Sequence, residues 1–291
     1  MGSRCAALLL LATASFAAAC SGGLDARPGP RTDAVAPSSA APSSMASPSE
    51  NDRLPPGVAH PPAWLGTRVL PQRPNGLGIA RRTPRLLRDR RLVTTDVLPA
   101  PTGDRFVSSV RPVPERVLRR STWRPSCPVR AGELAYVNVS FWGFDRRPHT
   151  GELLVHERVA RDVVSAFRSL HRARWPIEEM RITRRAELRA PPTGDGNNTG
   201  AFVCRPTRLS DDWSEHAYGL ALDVNPFHNP YVRGDLVLPE RAVAYRNRSW
   251  GRPGMIFPGD VVTRSFARIG WGWGGDWSSA KDWMHFSLSG G

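Results

Sequence analysis

Two imidazoles and two carboxylates are the groups in this 291-residue chain whose types could do hydrolytic chemistry: His216 and Asp223 in mid-chain, Asp282 and His285 near the C-terminus. A catalytic zinc needs three protein ligands from the His, Asp, Glu and Cys set, a fourth position left open, and a base nearby. His216, Asp223 and His285 can supply the ligands, and Asp282 the base. Gly219 falls between the first two ligands, where it lets the backbone turn tightly or come close to an ion. Ala221, Leu222 and Val224 read as a short buried strand that would hold Asp223 rigidly. Residue types alone are a weak signal, because an isolated His or Asp is more often a surface or structural group. Six residues between His216 and Asp223 is not a general metal signature either.

The order of the motifs is more specific. Ser214-x-His216-x-x-Gly219-x-Ala221-x-Asp223, followed far downstream by Asp282-x-x-His285-Phe286, resembles the zinc D,D-peptidases of bacterial cell walls. That group includes VanY-type D-alanyl-D-alanine carboxypeptidases, vancomycin-resistance dipeptidases and L-alanyl-D-glutamate endolysins. The resemblance implies one Zn2+ per domain, held by His216, Asp223 and His285 rather than by His228. It implies Asp282, rather than Asp276, as the base in zinc-assisted amide hydrolysis. The family places an arginine upstream of the first ligand, which makes Arg205 the candidate catalytic and substrate-binding clamp for a carboxylate or an oxyanion. Ser214 would hold the ligand loop or the substrate carboxylate. In Gly270–Trp277, Trp273 is the candidate substrate contact with Trp277 beside it, although such aromatics serve packing as often.

The implied fold is α+β, of the Hedgehog/DD-peptidase type: a small, mostly antiparallel sheet with flanking helices and the zinc site at its open edge. The implied substrate is a peptidoglycan stem peptide, cut as a D-alanyl-D-alanine carboxypeptidase cuts it. Two alternatives are an endopeptidase acting between L-Ala and D-Glu and a non-catalytic wall-binding lipoprotein that keeps the fold.

The elements that must position these groups are partly periodic. Ala135, Val137, Val139 and Phe141 alternate with Tyr136, Asn138, Ser140 and Trp142, which predicts a half-buried strand forming a hairpin with Gly151–Val155. Val155, Val159, Val163, Phe167 and Leu170 follow at helical spacing. His149 reads as structural, and His156 and His171 as exposed. Met180–Ile182 is a further strand, Ala190–Gly200 and Pro239–Gly259 are surface loops, and Val261–Ile269 is a short helix.

Residues 1–19 form a signal peptide, with Arg4, an apolar run too short to span a bilayer, and Ala17-Ala18-Ala19. Cys20 follows at once and resembles a lipidation site, the alternative being simple release. The expectation is an exported chain, either a membrane lipoprotein facing the wall or a secreted protein. Residues 20–60 are an Ala/Pro/Ser-rich linker, 61–121 a basic Pro-rich arm expected to be partly ordered, and 122–291 the zinc peptidase domain. With a formal net charge of +14, the chain suits anionic wall polymers, and export excludes nucleic acid as the partner. Cys127 and Cys204 are the pair left over for a disulfide once Cys5 and Cys20 are set aside.

Overall fold

A computed structural model describes residues 53–207 and 210–290. The signal peptide and Cys20 lie outside the described residues. In chain order the elements are β1 (Ser108–Pro112), α1 (Glu115–Arg120), β2 (Leu134–Trp142), β3 (Pro148–His156), α2 (Ala160–Arg172), β4 (Glu179–Met180), β5 (Asn198–Thr199), β6 (Ala221–Asp223), β7 (Tyr231–Arg233), β8 (Leu236–Leu238), α3 (Val261–Ala267), β9 (Gly272–Trp273), β10 (Lys281–Asp282) and β11 (His285–Ser287). Three antiparallel sheets run in the orders β1-β2-β3, β10-β7-β8 and β6-β11-β9, and β4 pairs with β5 in parallel. The class is mixed α+β, with small antiparallel sheets and few helices. Among the described residues no helix is long and apolar enough to cross a membrane.

The β2–β3 hairpin is in register from Leu134↔His156 to Trp142↔Pro148. Its odd-numbered β2 face, Ala135 to Phe141, packs with Val163, Phe167 and Leu170 of α2, as the two periods require. The opposite face is covered as well. Leu134, Tyr136 and Leu154 pack with Val117, Ile182, Phe202 and Cys204, leaving only Asn138 of β2 half-exposed. The strand is therefore buried on both faces rather than one. The Cys127–Cys204 disulfide joins this second cover to the segment that leads into His216. His171, expected to be exposed, is buried against Phe106 and Trp142.

Pro239–Gly259 also turns inward instead of lying on the surface. Tyr245 and Ile256 are fully buried, and Tyr245 packs edge-on against Phe227 and His228. Part of this interior comes from the segment before β1. Leu87 and Leu92 join Phe227, Val237, Tyr245 and Met255 in one apolar cluster. Arg90, inside the basic run, is buried. It donates from Nε and Nη2 to the two Glu178 carboxylate oxygens at 2.8 and 2.5 Å, and from Nη1 to Asp195 O at 2.7 Å. A buried fork-to-fork pair of this kind is strongly destabilised when one partner is lost, because the other charge stays behind. Arg90→Ala is expected to lower unfolding free energy by about 3–5 kcal/mol, read from urea midpoints. The pair Arg90→Met with Glu178→Met should recover most of that loss; equal losses in single and double variants would contradict it.

Candidate metal centre

His216 lies in a 3-10 helix, Glu215–Tyr218, whose N-cap is Ser214: its hydroxyl accepts from the His216 backbone N–H at 3.3 Å. The imidazole Nδ1 donates to the Ala201 carbonyl at 2.6 Å. A carbonyl only accepts, so this bond places the proton on Nδ1 and leaves the Nε2 lone pair free to ligate. The helix ends at Gly219, in the left-handed region at φ 69°. The Gly219 carbonyl accepts from the His156 N–H at 2.9 Å, and a Cβ on Gly219 would sit 2.6 Å from that same nitrogen. Both the backbone angle and the space demand glycine here. Gly219→Ala is expected to destabilise the fold by on the order of 2 kcal/mol and to weaken metal binding through His216. Calorimetric melts with and without added zinc would check both; an unchanged Tm would refute the packing argument.

Asp223 and His285 meet through strand pairing. β6 and β11 are antiparallel, and Asp223 and His285 are direct cross-strand partners. Gly200 clamps the other edge of β6, exchanging both backbone hydrogen bonds with Asp223 at 3.1 and 2.9 Å. The resulting cluster is tight. His216 Nε2 is 3.3 Å from Asp223 Oδ2, and His285 Nδ1 is 3.2 Å from Asp223 Oδ1. One donor atom from each residue lies within 4.8 Å of the others. Tetrahedral zinc with bonds of about 2.0–2.1 Å sets neighbouring ligand atoms about 3.3–3.4 Å apart. Each imidazole lies near that edge length from one of the two Asp223 oxygens, and the two-imidazole, one-carboxylate donor set suits a zinc ion. Burial opposes ionisation of Asp223, but the two adjacent imidazoles outweigh it and hold the carboxyl well below its ordinary range.

Asp282 stands on β10, opposite Tyr231 of β7. The residue is half-buried, but its Oδ1 is shielded from solvent and has no hydrogen-bond partner. Burial pushes the carboxyl up to about 7; His285 opposes the shift, Asp223 adds to it and the Arg205 guanidinium opposes it. A shielded acceptor with no partner, poised near neutrality beside a ligand cluster, has the properties of a general base.

The remaining sequence candidates fall out unequally. The charge of Arg205 reaches Asp282, while its Nη1 donates to Pro206 O at 2.9 Å and its backbone carbonyl accepts from Ser214 N–H at 3.3 Å. Trp273 is buried: its indole donates to Trp283 O at 2.9 Å and stacks on Phe286. The aromatic that borders the cluster is Trp277, with ring centroid 5.5 Å from that of His285. His228 is held away from the cluster between Arg90 O and Asn197, and burial pulls it down to about 4. His149 is buried between Asp96 and Asp145 and touches none of the three ligands.

Sequence reasoning passed over two supports. The Ala201 carbonyl is one, and no side-chain signal marks it. The other is Lys281, whose ammonium donates to Gly275 O at 3.0 Å and Trp277 O at 2.6 Å and so fixes the loop carrying Trp277. It is the only lysine in the chain, in a sequence that otherwise uses arginine for every basic position. An ammonium is compact enough to converge on two carbonyls where a planar guanidinium is not.

No curated protein and no solved structure matches the chain. Residues 208–288, which carry His216, Asp223, Asp282 and His285, match the family model described as D-alanyl-D-alanine carboxypeptidase, and that match supports a peptidase of this type.

Proposed function

We propose that the chain is a zinc-dependent peptidase of peptidoglycan stem peptides, acting as a D-alanyl-D-alanine carboxypeptidase. The observation that carries the reading is the cluster itself: three side chains able to ligate, with one donor atom each within 4.8 Å of the others, beside a shielded carboxylate oxygen with no partner. His216, Asp223 and His285 would hold the ion. Bound there, it would polarise the scissile carbonyl and lower the pKa of a water from 15.7 toward roughly 7. Asp282 then takes one proton from the attacking water and delivers it to the leaving amine, so that amide and water become a carboxylate and free D-alanine. Arg205, whose charge acts on Asp282, would offset negative charge on the substrate. Trp277 walls the cluster beside His285. The basic chain would reach its substrate after export, tethered through Cys20 or released, and anionic wall polymers would favour its retention.

The test is incubation of the full chain with defined muropeptides, with and without chelator, and identification of products by mass. Chelator-sensitive release of one D-alanine supports the proposal. Cleavage inside the stem assigns an endopeptidase instead, and no product with zinc bound leaves a wall-binding role.

A further inference from the structure

A second feature shares no residue with the metal centre. A cavity of about 390 Å³ opens between the segment before β1 and the body of the fold. Trp142 and Phe144 line it together with three arginines from three separate parts of the chain: Arg91, Arg146 and Arg174.

Two of those arginines stand where the backbone asks for glycine. Among the described residues, three other than glycine have φ in the left-handed region: Arg146 at 63°, Arg174 at 50° and Asn225 at 44°. Asparagine tolerates that region; arginine does not. Arg146 occupies the turn between β2 and β3, where its N–H donates to Gly143 O at 3.1 Å and Gly143 N–H donates to Arg147 O at 2.9 Å. Left-handed positions in hairpin loops are ordinarily Gly or Asn. Arg174 lies just past α2. Its N–H donates to His171 O and Trp175 N–H donates to Leu170 O, both at 3.0 Å. That double bond pattern is the Schellman ending, whose left-handed residue is usually glycine. Two unrelated turns thus each hold an arginine in a conformation that disfavours it, and both side chains line one cavity. Strain of this kind clusters at functional sites and ligand clamps.

The charge is only partly offset internally, Arg91 also donating to Pro56 O at 3.4 Å. No described residue pairs with the Arg146 guanidinium, and Arg174 reaches Asp104 only at 3.6 Å across exposed surface while stacking 4.4 Å over Trp142. Arg91 pairs with Asp89, but Asp89 also receives Arg252, so four guanidiniums face two carboxylates. A carboxylate is planar and one guanidinium fork satisfies it; the two terminal oxygens of a phosphodiester stand out from the chain on a tetrahedral centre, and each can take donors from a separate segment. Pro55 and Pro176 add apolar surface to the lining, against which the carbon skeleton of a chain can rest.

We propose that this cavity binds the phosphodiester of a polyol-phosphate chain, through Arg146, Arg174 and Arg91. The test uses the full chain with three probes, at fixed and at raised salt: a glycerol phosphate polymer, inorganic phosphate, and polyglutamate of matched charge. Arg146→Gly and Arg174→Gly are the informative variants, because glycine suits both turns and keeps the fold. Each is expected to weaken polymer binding by about tenfold while Tm stays level or rises. Arg82→Gly with Arg85→Gly, two exposed arginines outside this cavity, should leave affinity unchanged. Undiminished binding by both glycine variants of the cavity would overturn the proposal. So would polyglutamate binding as tightly as the polymer, binding lost only with Arg82 and Arg85, or no binding above the high-salt control. None of these readouts involves peptide hydrolysis, so the outcome is independent of the metal centre.

Discussion

Asp282→Asn is expected to retain zinc and lose turnover by about 10²–10⁴-fold, while making the metal-free protein more stable at alkaline pH. The first half follows from geometry. Asn keeps the shape of Asp282, and none of the three ligating side chains hydrogen-bonds to it. What it loses is the basic carboxylate that takes up the water proton; an amide oxygen still accepts a hydrogen bond but is not a base. The second half follows from the carboxyl's environment. In the metal-free fold, burial keeps a proton on Asp282 up to about pH 7, against an ordinary value of 3.8. The unfolded chain releases that proton earlier, so between about pH 4 and pH 7 the folded state binds more protons than the unfolded state. Stability therefore falls as pH rises through that window, and the penalty is complete above it. Asn carries no such penalty. With chelator present, urea unfolding of the variant should match the parent near pH 4 and exceed it near pH 8, by at most about 4 kcal/mol. The half-buried position trims that ceiling through solvent screening. The expected pattern is a residue kept at the expense of the fold because catalysis needs it. A variant with a substantial fraction of parental activity would remove Asp282 from the mechanism, and equal pH dependence in both proteins would refute the burial argument.

How far the sequence reveals this site depends on which force places each residue. The trio and Asp282 are legible because few side chains ligate or accept a proton, and their motif order is distinctive. Their proximity is a different matter. Asp223 and His285 are 62 residues apart and meet through a register between two three-residue strands, too short for any alternation to appear. The β2–β3 hairpin and α2 are visible because their periods run over nine and thirteen residues. The burial of both β2 faces is not, since the second cover joins α1 to Ile182, Phe202 and Cys204 from well beyond the hairpin. Composition likewise hides the docking of Arg90. A run of arginines reads as solvated, and the buried member is decided by Glu178, 88 residues away. Trp273 and Trp277 lie four residues apart in one glycine-rich segment, and the pairing of β9 with β11 decides that the first packs inward on Phe286.

Asp223→Ala is expected to abolish both activity and metal binding, which separates it from Asp282→Asn. The carboxylate lies between the two imidazoles, 3.3 Å from one and 3.2 Å from the other, and is the only anionic donor of the cluster. Its removal leaves two neutral donors for a divalent ion, with no charge to offset the desolvation of that ion. The strand need not suffer, because Asp223 is tied to Gly200 and to β11 through its backbone. The metal-free fold also loses the attraction between that carboxylate and the imidazoles, so the difference in Tm between zinc and chelator, and not the absolute Tm, reads the loss of the ligand. A ligand that binds only the native state stabilises it by about 2.7 kcal/mol at one hundred times its Kd. The parent should accordingly melt higher with zinc than with chelator, and Asp223→Ala should melt at one temperature in both. Metal content after dialysis should fall from one ion per chain to none, whereas Asp282→Asn keeps its ion. If Asp223→Ala still held stoichiometric zinc with a parental shift in Tm, His216 and His285 would not be sharing an ion with Asp223, and the hydrolase proposal would lose its centre.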